Sequence, residues 1–424
     1  MLLPLALTLV PAPAQLKESL RIERMSVLEQ RSGWRPLEKP GLLPASDCEI
    51  SYARLVTSTS GAALLEHVHS FLRPAQLPDN CVELHYRPRS SLPGTDVSLF
   101  DEKSLSGWHP IGEASFTPDD RSILAQTSTG KANSFLVTDS TFGDFLLTVE
   151  LRNEQPGNSG IQIRSRVVGS EPKASYASGY QIEVDPSSRA WSGGLYEERG
   201  RGWIQNLSAN EAGRNAFHPG EWNRYRIECI GPWIRAWVND IPTADAFDPE
   251  SLDGILGLQV HAGQDTKVRF RNFRLHTFGK HTWSPLDPNL IATAGAQLGN
   301  DFGLRLTRAA NASLAGCQLR FRGDRKSPNP SHDSSTDLLR SDNLCWSIDL
   351  GDARLANTKL KRDWTELVLL AYSDRLSLFR DHELIYESRT FCGSDGPWLW
   401  IERPATTPAT SPFERVESLI QSEH

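Results

Sequence analysis

Two carboxylates one pleat apart, Glu183 and Asp185, close the run Gly179-Tyr-Gln-Ile-Glu-Val-Asp185. Side chains alternate across a strand. Tyr180, Ile182 and Val184 therefore take one face, and Gln181, Glu183 and Asp185 take the other. In Ser159-Gly-Ile-Gln-Ile-Arg-Ser-Arg166 the apolar pair Ile161 and Ile163 leaves Gln162 and Arg164 opposite. In Gly257-Leu-Gln-Val-His261, Gln259 and His261 oppose Leu258 and Val260. The run from Phe145 to Arg152 leaves Thr148, Glu150 and Arg152 opposite its apolar side. Four strands thus offer a polar face that mixes carboxylates, amides, a guanidinium and an imidazole. Lys, Glu and Thr would dominate a merely solvated face. Carboxylates and an imidazole within reach of one another can move protons. Glu183 and Asp185 are the candidate base or acid, and His261 is their proton partner. Glu150, Gln162, Arg164, Gln181 and Gln259 are candidate substrate contacts. Plainer readings stay open: His261 bonded to a loop carbonyl, and Arg164 paired with Glu183.

The segment Tyr196-Glu-Glu-Arg-Gly-Arg-Gly-Trp203 has an unusual composition. Two Gly beside two Arg and a Trp suit a rim loop, with Trp203 stacked on a sugar ring and donors from Arg199 and Arg201. Tyr196 stands at its start. The alternative tucks Trp203 into the sandwich edge. Asn158, between Gly157 and Ser159, faces the same region or simply makes a turn. Trp108, Trp222 and Trp237 read as core.

Period-two alternation runs through the chain and the helical period is almost absent, so the fold class is all-β. Many short strands between Gly, Pro and Asp loops predict two packed antiparallel sheets, a jelly-roll sandwich. Its span is about 94–280. The last third, 281–424, reads as a degenerate copy. Asp301-Phe302 answers Asp144-Phe145, and Gln318-Leu-Arg320 answers Gln162-Ile-Arg164. Asp363-Trp364 answers Glu221-Trp222, and the strand after Pro412 answers that after Lys267. The copy lacks the stretch around Glu197–Phe217 and has Ser347 in place of Glu183, so it is expected to be inactive. Residues 16–93 read as a small β segment.

The 424 residues carry a net charge of −7 with no long basic run, which disfavours a nucleic-acid partner. Residues 1–15, an apolar run ending in small residues, read as a secretory signal, which implies an exported protein. No later run is long and apolar enough for a membrane span. Six cysteines show no CxxC pair and no zinc spacing. Cys48–Cys81 and Cys317–Cys345 are candidate disulfides, and Cys229 reads as a buried thiol. No cofactor is evident. Acidic loops of such sandwiches can hold Ca²⁺, but no ligand spacing demands it.

The first sandwich resembles the 3-keto-disaccharide hydrolase family, which has a concanavalin A-like (lectin/glucanase) fold. The ordered series Leu99-Phe-Asp-Glu-Lys-Ser-Leu-Ser-Gly-Trp108, Gly157–Arg164, Gly179–Asp185, Gly193-Gly-Leu-Tyr196, Gly220-Glu-Trp-Asn223, Gly257–His261 and Val268–Asn272 carries it. The resemblance covers about 97–275. One place departs from the family pattern, which has Glu where this chain has Gln181 and Gln where it has Glu183. The resemblance implies cleavage of glycosides whose C3 hydroxyl is oxidised to a ketone. A C3 ketone acidifies the C2 proton, so a base removes it while the C1 substituent leaves, and water addition completes net hydrolysis. A glycan-binding protein without turnover, using the same face, is the alternative. Either way the partner is a carbohydrate.

Overall fold

The computed structural model describes residues 35–37, 48–59, 62–68, 81–88, 93–127, 132–155, 157–263 and 265–286. In the last third it describes 296–297, 302–308, 318–322, 345–349, 365–372, 375–388, 398–402 and 413–422. The apolar run 1–15 lies outside these residues, as do Cys317 and Cys392.

An N-terminal sheet contains β1 (Arg35–Leu37), β2 (Cys48–Thr59), β3 (Ala62–Val68) and β4 (Cys81–Pro88) in the order β1-β4-β2-β3. Its register corrects one expectation. Cys48 stands opposite Pro88 and Cys81 opposite Leu55. The two cysteines are therefore roughly 20 Å apart along the ladder at the strand rise, too far for the Cα spacing of a disulfide.

The central unit opens with β5 (Thr95–Val97), β6 (Trp108–Ile111), β7 (Ser115–Asp119) and β8 (Ser122–Thr127). Longer strands follow: β9 (Ser134–Phe142), β10 (Asp144–Gln155), β11 (Ser159–Val168) and β12 (Tyr176–Val184). A short pair, β13 (Leu195–Glu198) and β14 (Gly202–Gln205), precedes one helical turn, α1 (Glu211–Arg214). Then come β15 (Asn223–Ile230), β16 (Trp233–Val238), β17 (Ile241–Phe247), β18 (Gly254–Val260) and the long β19 (Thr266–Leu286). Asn239 and Asp240 both hold positive φ, the backbone a two-residue hairpin needs to follow strand twist, and they join β16 to β17.

These strands form two antiparallel layers. The front sheet runs β14-β13-β12-β11-β18-β9-β6, and the back sheet contains β17-β16-β15-β10-β19. The core between them is built by the alternation. Phe145, Leu147, Val149 and Leu151 come from the back sheet, and Ile161, Ile163, Tyr180, Ile182, Val184, Leu258 and Val260 from the front. Cys229 is a free buried thiol in this core. Each fully buried Ile, Leu or Phe contributes about 1.5–3 kcal/mol, so the layering follows from the pattern. Trp108 joins the core, its indole N–H donating to Leu99 O at 2.5 Å. Trp222 does not. It lies half-buried under Arg271 and Arg152, because its position points outward from the back sheet. Trp237 is buried beside Arg235, outside the core cluster.

The last third contains β20 (Ala296–Gln297), β21 (Phe302–Arg308), β22 (Gln318–Arg322), β23 (Cys345–Asp349) and β24 (Glu366–Tyr372). It ends with β25 (Arg375–Arg380), β26 (Glu383–Ser388), β27 (Trp398–Glu402) and β28 (Phe413–Ser422). Its sheets run β28-β21-β24-β25-β26 and β20-β27-β22-β23. The order of neighbours is that of β19-β10-β15-β16-β17 and β9-β18-β11-β12. The C-terminal half of β19 pairs antiparallel with β28, so one sheet runs through both units. An apolar cluster including Phe247, Phe278, Tyr372 and Phe379 seals the joint.

Candidate functional site

The outer face of the front sheet carries a directed chain of side-chain hydrogen bonds. Gln181 faces Gln162 on β11 and Tyr196 on β13, while Gly160 lies between Glu183 and Gln259. Ser165 Oγ donates to Gln162 Oε1 (2.8 Å), and Gln162 Nε2 donates to Gln181 Oε1 (2.5 Å). Gln181 Nε2 then donates to Glu183 Oε2 (2.9 Å), and Asn158 Nδ2 donates to Glu183 Oε1. Gly160 makes this possible. A Cβ there would lie 2.3 Å from Gln181 Cδ, so the amide runs over bare backbone.

Glu183 is 4% exposed. Burial pushes its carboxyl above the ordinary range, against the bonds from Asn158 and Gln181. Asp185 has the opposite balance. Burial pushes it up, but Ser187 and Arg189 outweigh this and hold it below its usual value. Arg189 Nε donates to Asp185 Oδ2 at 2.7 Å, and its Nη2 lies 4.0 Å from Glu183. The guanidinium also sits over Trp191 and Trp203, with its carbon 4.9 and 5.2 Å from the ring centroids. Trp203 meets Trp191 and Tyr196 edge-on at 4.9 and 5.1 Å. An aromatic rim therefore stands beside the carboxylates.

A second buried carboxylate shares the face. Glu198 accepts from Asn133 Nδ2 (3.2 Å) and Gln259 Nε2 (3.4 Å), with Arg199 Nε 3.9 Å away. Burial pushes Glu198 up as well, opposed by Asn133, Arg199, His261 and Gln259. The Tyr196 hydroxyl is pushed up by burial and then by Glu198 and Glu183 together, so it lies in the field of both. His261 is exposed, and its Nδ1 lies 2.8 Å from Ala262 O. A carbonyl only accepts, so Nδ1 carries the proton and a neutral ring keeps its lone pair on Nε2.

Residues 95–276 match the family model of the 3-keto-alpha-glucoside-1,2-lyase-like domain. The match runs from β5 into the first half of β19 and includes every residue of the face just described. No curated protein matches the chain. Among solved structures, the carbohydrate binding module CBM66 from Bacillus subtilis is 15% identical, covering 40% of this chain and 96% of that one at a TM-score of 0.31. A candidate glycosyl hydrolase from Parabacteroides distasonis is 18% identical, covering 43% and 93% at 0.32. A Bacillus subtilis protein of unknown function with a galectin-like fold is 15% identical, covering 41% and 90% at 0.32.

Within residues 95–276, three residues expected at the site lie elsewhere. Arg164 adopts φ 45° in a bulge where the ladders to β12 and β18 both slip, which swings it through the sandwich. There its buried guanidinium pairs with Asp144 at 3.1 Å and donates to Gly143 O and Gly231 O. Glu150 belongs to β10 in the back sheet, where it pairs with Arg271 at 2.9 Å. Strand alternation identifies the face of a strand but not its sheet. Arg201 turns to Asp248 (2.9 Å) and Glu197 (2.6 Å) and donates to His382 O of the C-terminal unit. Arg199 stays at the rim, over Tyr176 and beside Glu198. The sequence reading passed over Glu198, Arg189 and Asn133. Glu198 was within reach of alternation, since it shares a face with Tyr196 two residues earlier.

Among the described residues no group of three His, Cys, Asp or Glu is placed to hold a metal ion, and no helix is long and apolar enough to cross a membrane.

Proposed function

We propose that this carbohydrate-active protein cleaves 3-keto-glycosides at the front-sheet face of residues 95–276. The observation that carries the reading is Glu183, a buried carboxylate with a raised pKa inside a domain that matches the lyase-like family. A base works best when its pKa approaches the working pH. Two bonds from amides leave lone pairs on both its oxygens. Glu183 takes the C2 proton, and the electron pair is held as an enolate on the C3 oxygen. When the enolate collapses, the C3 carbonyl re-forms, a C1–C2 double bond forms and the C1–O bond breaks. Water then adds at C1, and C2 regains a proton. Arg189, aimed by Asp185, is the cation for the enolate oxygen. Asp185 is thus a positioning residue, since a carboxyl held low is a poor proton donor. His261 Nε2 faces solvent at the rim, suited to passing the proton on.

The C-terminal unit, with the same strand order, reads as a second copy without the site, because its sequence lacks a stretch like that around Glu197–Phe217. The apolar leader supports export.

The test is turnover of a 3-keto-glucoside and its unoxidised parent. The keto sugar alone should be cleaved, and Glu183→Gln should slow this about 100-fold or more. Glycan binding without turnover, unchanged by Glu183→Gln, would replace this reading with a carbohydrate-binding module.

A further inference from the structure

We infer that Glu198 is a second catalytic group of the same site, the acid that protonates the departing glycosidic oxygen. This rests on the 3-keto-glycoside reading above.

Elimination moves two protons. One leaves C2, and one must reach the C1 oxygen unless the leaving group is stable as an anion. Glu183 takes the C2 proton and gives it back to C2 when water adds, so the proton for the C1 oxygen comes from another group. The other groups on the face are poor donors. Asp185 is ionised and bound to Arg189. The one proton of a neutral His261, on Nδ1, is held by Ala262 O, and Nε2 has none of its own to give. Tyr196 lies between two carboxylates that hold its proton on.

Glu198 differs in its surroundings. It is buried on β13, one strand beyond Glu183, and shares its face with Tyr196. Asn133 from the approach to β9, Gln259 from β18, Arg199 and His261 surround its carboxyl. Gln259 is wholly buried, and its Oε1 has no hydrogen-bond partner among the described residues. A buried acceptor left orphaned costs about 1–3 kcal/mol. An amide has nearly the same shape when turned over. With Nε2 toward Glu198, Gln259 donates to the carboxylate. Turned over, its Oε1 accepts from the protonated acid. One buried side chain can thus serve both protonation states of Glu198, as a group that gives up and regains a proton in each cycle requires. Burial, which holds a proton on Glu198 to higher pH than on an ordinary glutamate, acts in the same direction.

The step balances. The Glu198 O–H breaks as the C1–O bond breaks, the departing alcohol takes that proton, and the carboxylate is reprotonated when water adds across C1 and C2.

The test compares methyl and 4-nitrophenyl 3-keto-glucosides in D₂O, following alcohol release and C2 deuterium uptake. Methoxide is a poor leaving group and needs the acid, whereas nitrophenolate does not. Glu198→Gln should lose about 100-fold on the methyl glycoside, a typical acid contribution. It should lose under about 5-fold on the nitrophenyl glycoside and still exchange C2. Equal losses on both substrates, or loss of exchange, would overturn the assignment. If Glu198→Gln does not fold, Glu198→Asp must show the same bias toward the poor leaving group, and equal losses there overturn it too. A wild-type protein that neither exchanges C2 nor releases alcohol overturns the parent reading, and the assignment with it.

Discussion

Arg164 and Glu183 lie nineteen positions apart on neighbouring strands and are both buried, yet their neighbours give them different work. Each of the three nitrogens of Arg164 donates, to Gly143 O, Gly231 O and Asp144, and Asp144 is shared with His281 at 2.5 Å. Removing one partner of a buried pair leaves an uncompensated charge, which costs about 3–5 kcal/mol. Arg164→Ala should lose that much on urea unfolding. If its stability stays within about 1 kcal/mol of wild type, the network is not structural. Glu183 is set apart by its raised pKa. A carboxyl raised in the fold weakens stability as pH climbs from its unfolded value through its folded value. Glu183→Gln should therefore melt no lower than wild type at neutral pH, and any advantage should shrink toward pH 4.5. A Gln at this position bonds its amide oxygen to Gln181 and donates to Asn158 once that amide turns over. A lower melting temperature at neutral pH, with no pH trend, would contradict the burial account.

At the scale of elements, the face depends on β11 coming close to the side chains that cross it. Gly160 lies between Glu183 and Gln259 in the ladder, and Gln181 spans it to reach Glu183. In Gly160→Ala the new methyl would meet Gln181 at 2.3 Å. Overpacking of this kind costs about 1–3 kcal/mol. Displacement of Gln181 should also lower turnover more than tenfold, read by the keto-glucoside assay on folded protein. Full turnover would mean that the amide chain is not needed to hold Glu183. The bulge in β11 is the second device. It sends Gln162 to the outer face and Arg164 to the opposite layer, which strict alternation would have kept together.

Across the molecule, charge ties the N-terminal sheet to the sandwich. Arg87 on β4 is fully buried 3.1 Å from Glu228 on β15, and Glu228 also pairs with Arg235. Burial pushes Glu228 up, but Arg235 and Arg87 pull its pKa to about 2. A depressed carboxylate contributes stability above its unfolded pKa and loses it as pH falls toward the folded value. From 4.5 to about 2 that is ~3 kcal/mol at 1.36 kcal/mol per pH unit. Glu228→Gln should be less stable at pH 7 by about that amount, with the gap closing as the pH approaches 2. A gap that does not change with pH in chemical denaturation would remove the ion pair as the cause.

The sequence by itself determined the all-β class, the inward apolar residues of each strand and the family resemblance of the central unit. Alternation and burial act locally, and Phe145, Ile161, Tyr180 and Leu258 lie in the core where their patterns send them. It also singled out Gln162, Gln181, Glu183 and Gln259 as one polar face. Only the tertiary structure decided which sheet each strand joins, because that depends on pairings between residues far apart in the chain. Glu150 therefore fell on the back sheet, and Arg164 crossed the sandwich through a bulge. Arg201 was drawn to Asp248 at the joint with the C-terminal unit. Alternation could place Glu198 on the face with Tyr196, but only folding brings it to Asn133 before β9 and Gln259 on β18, a proximity that spacing along the chain does not encode.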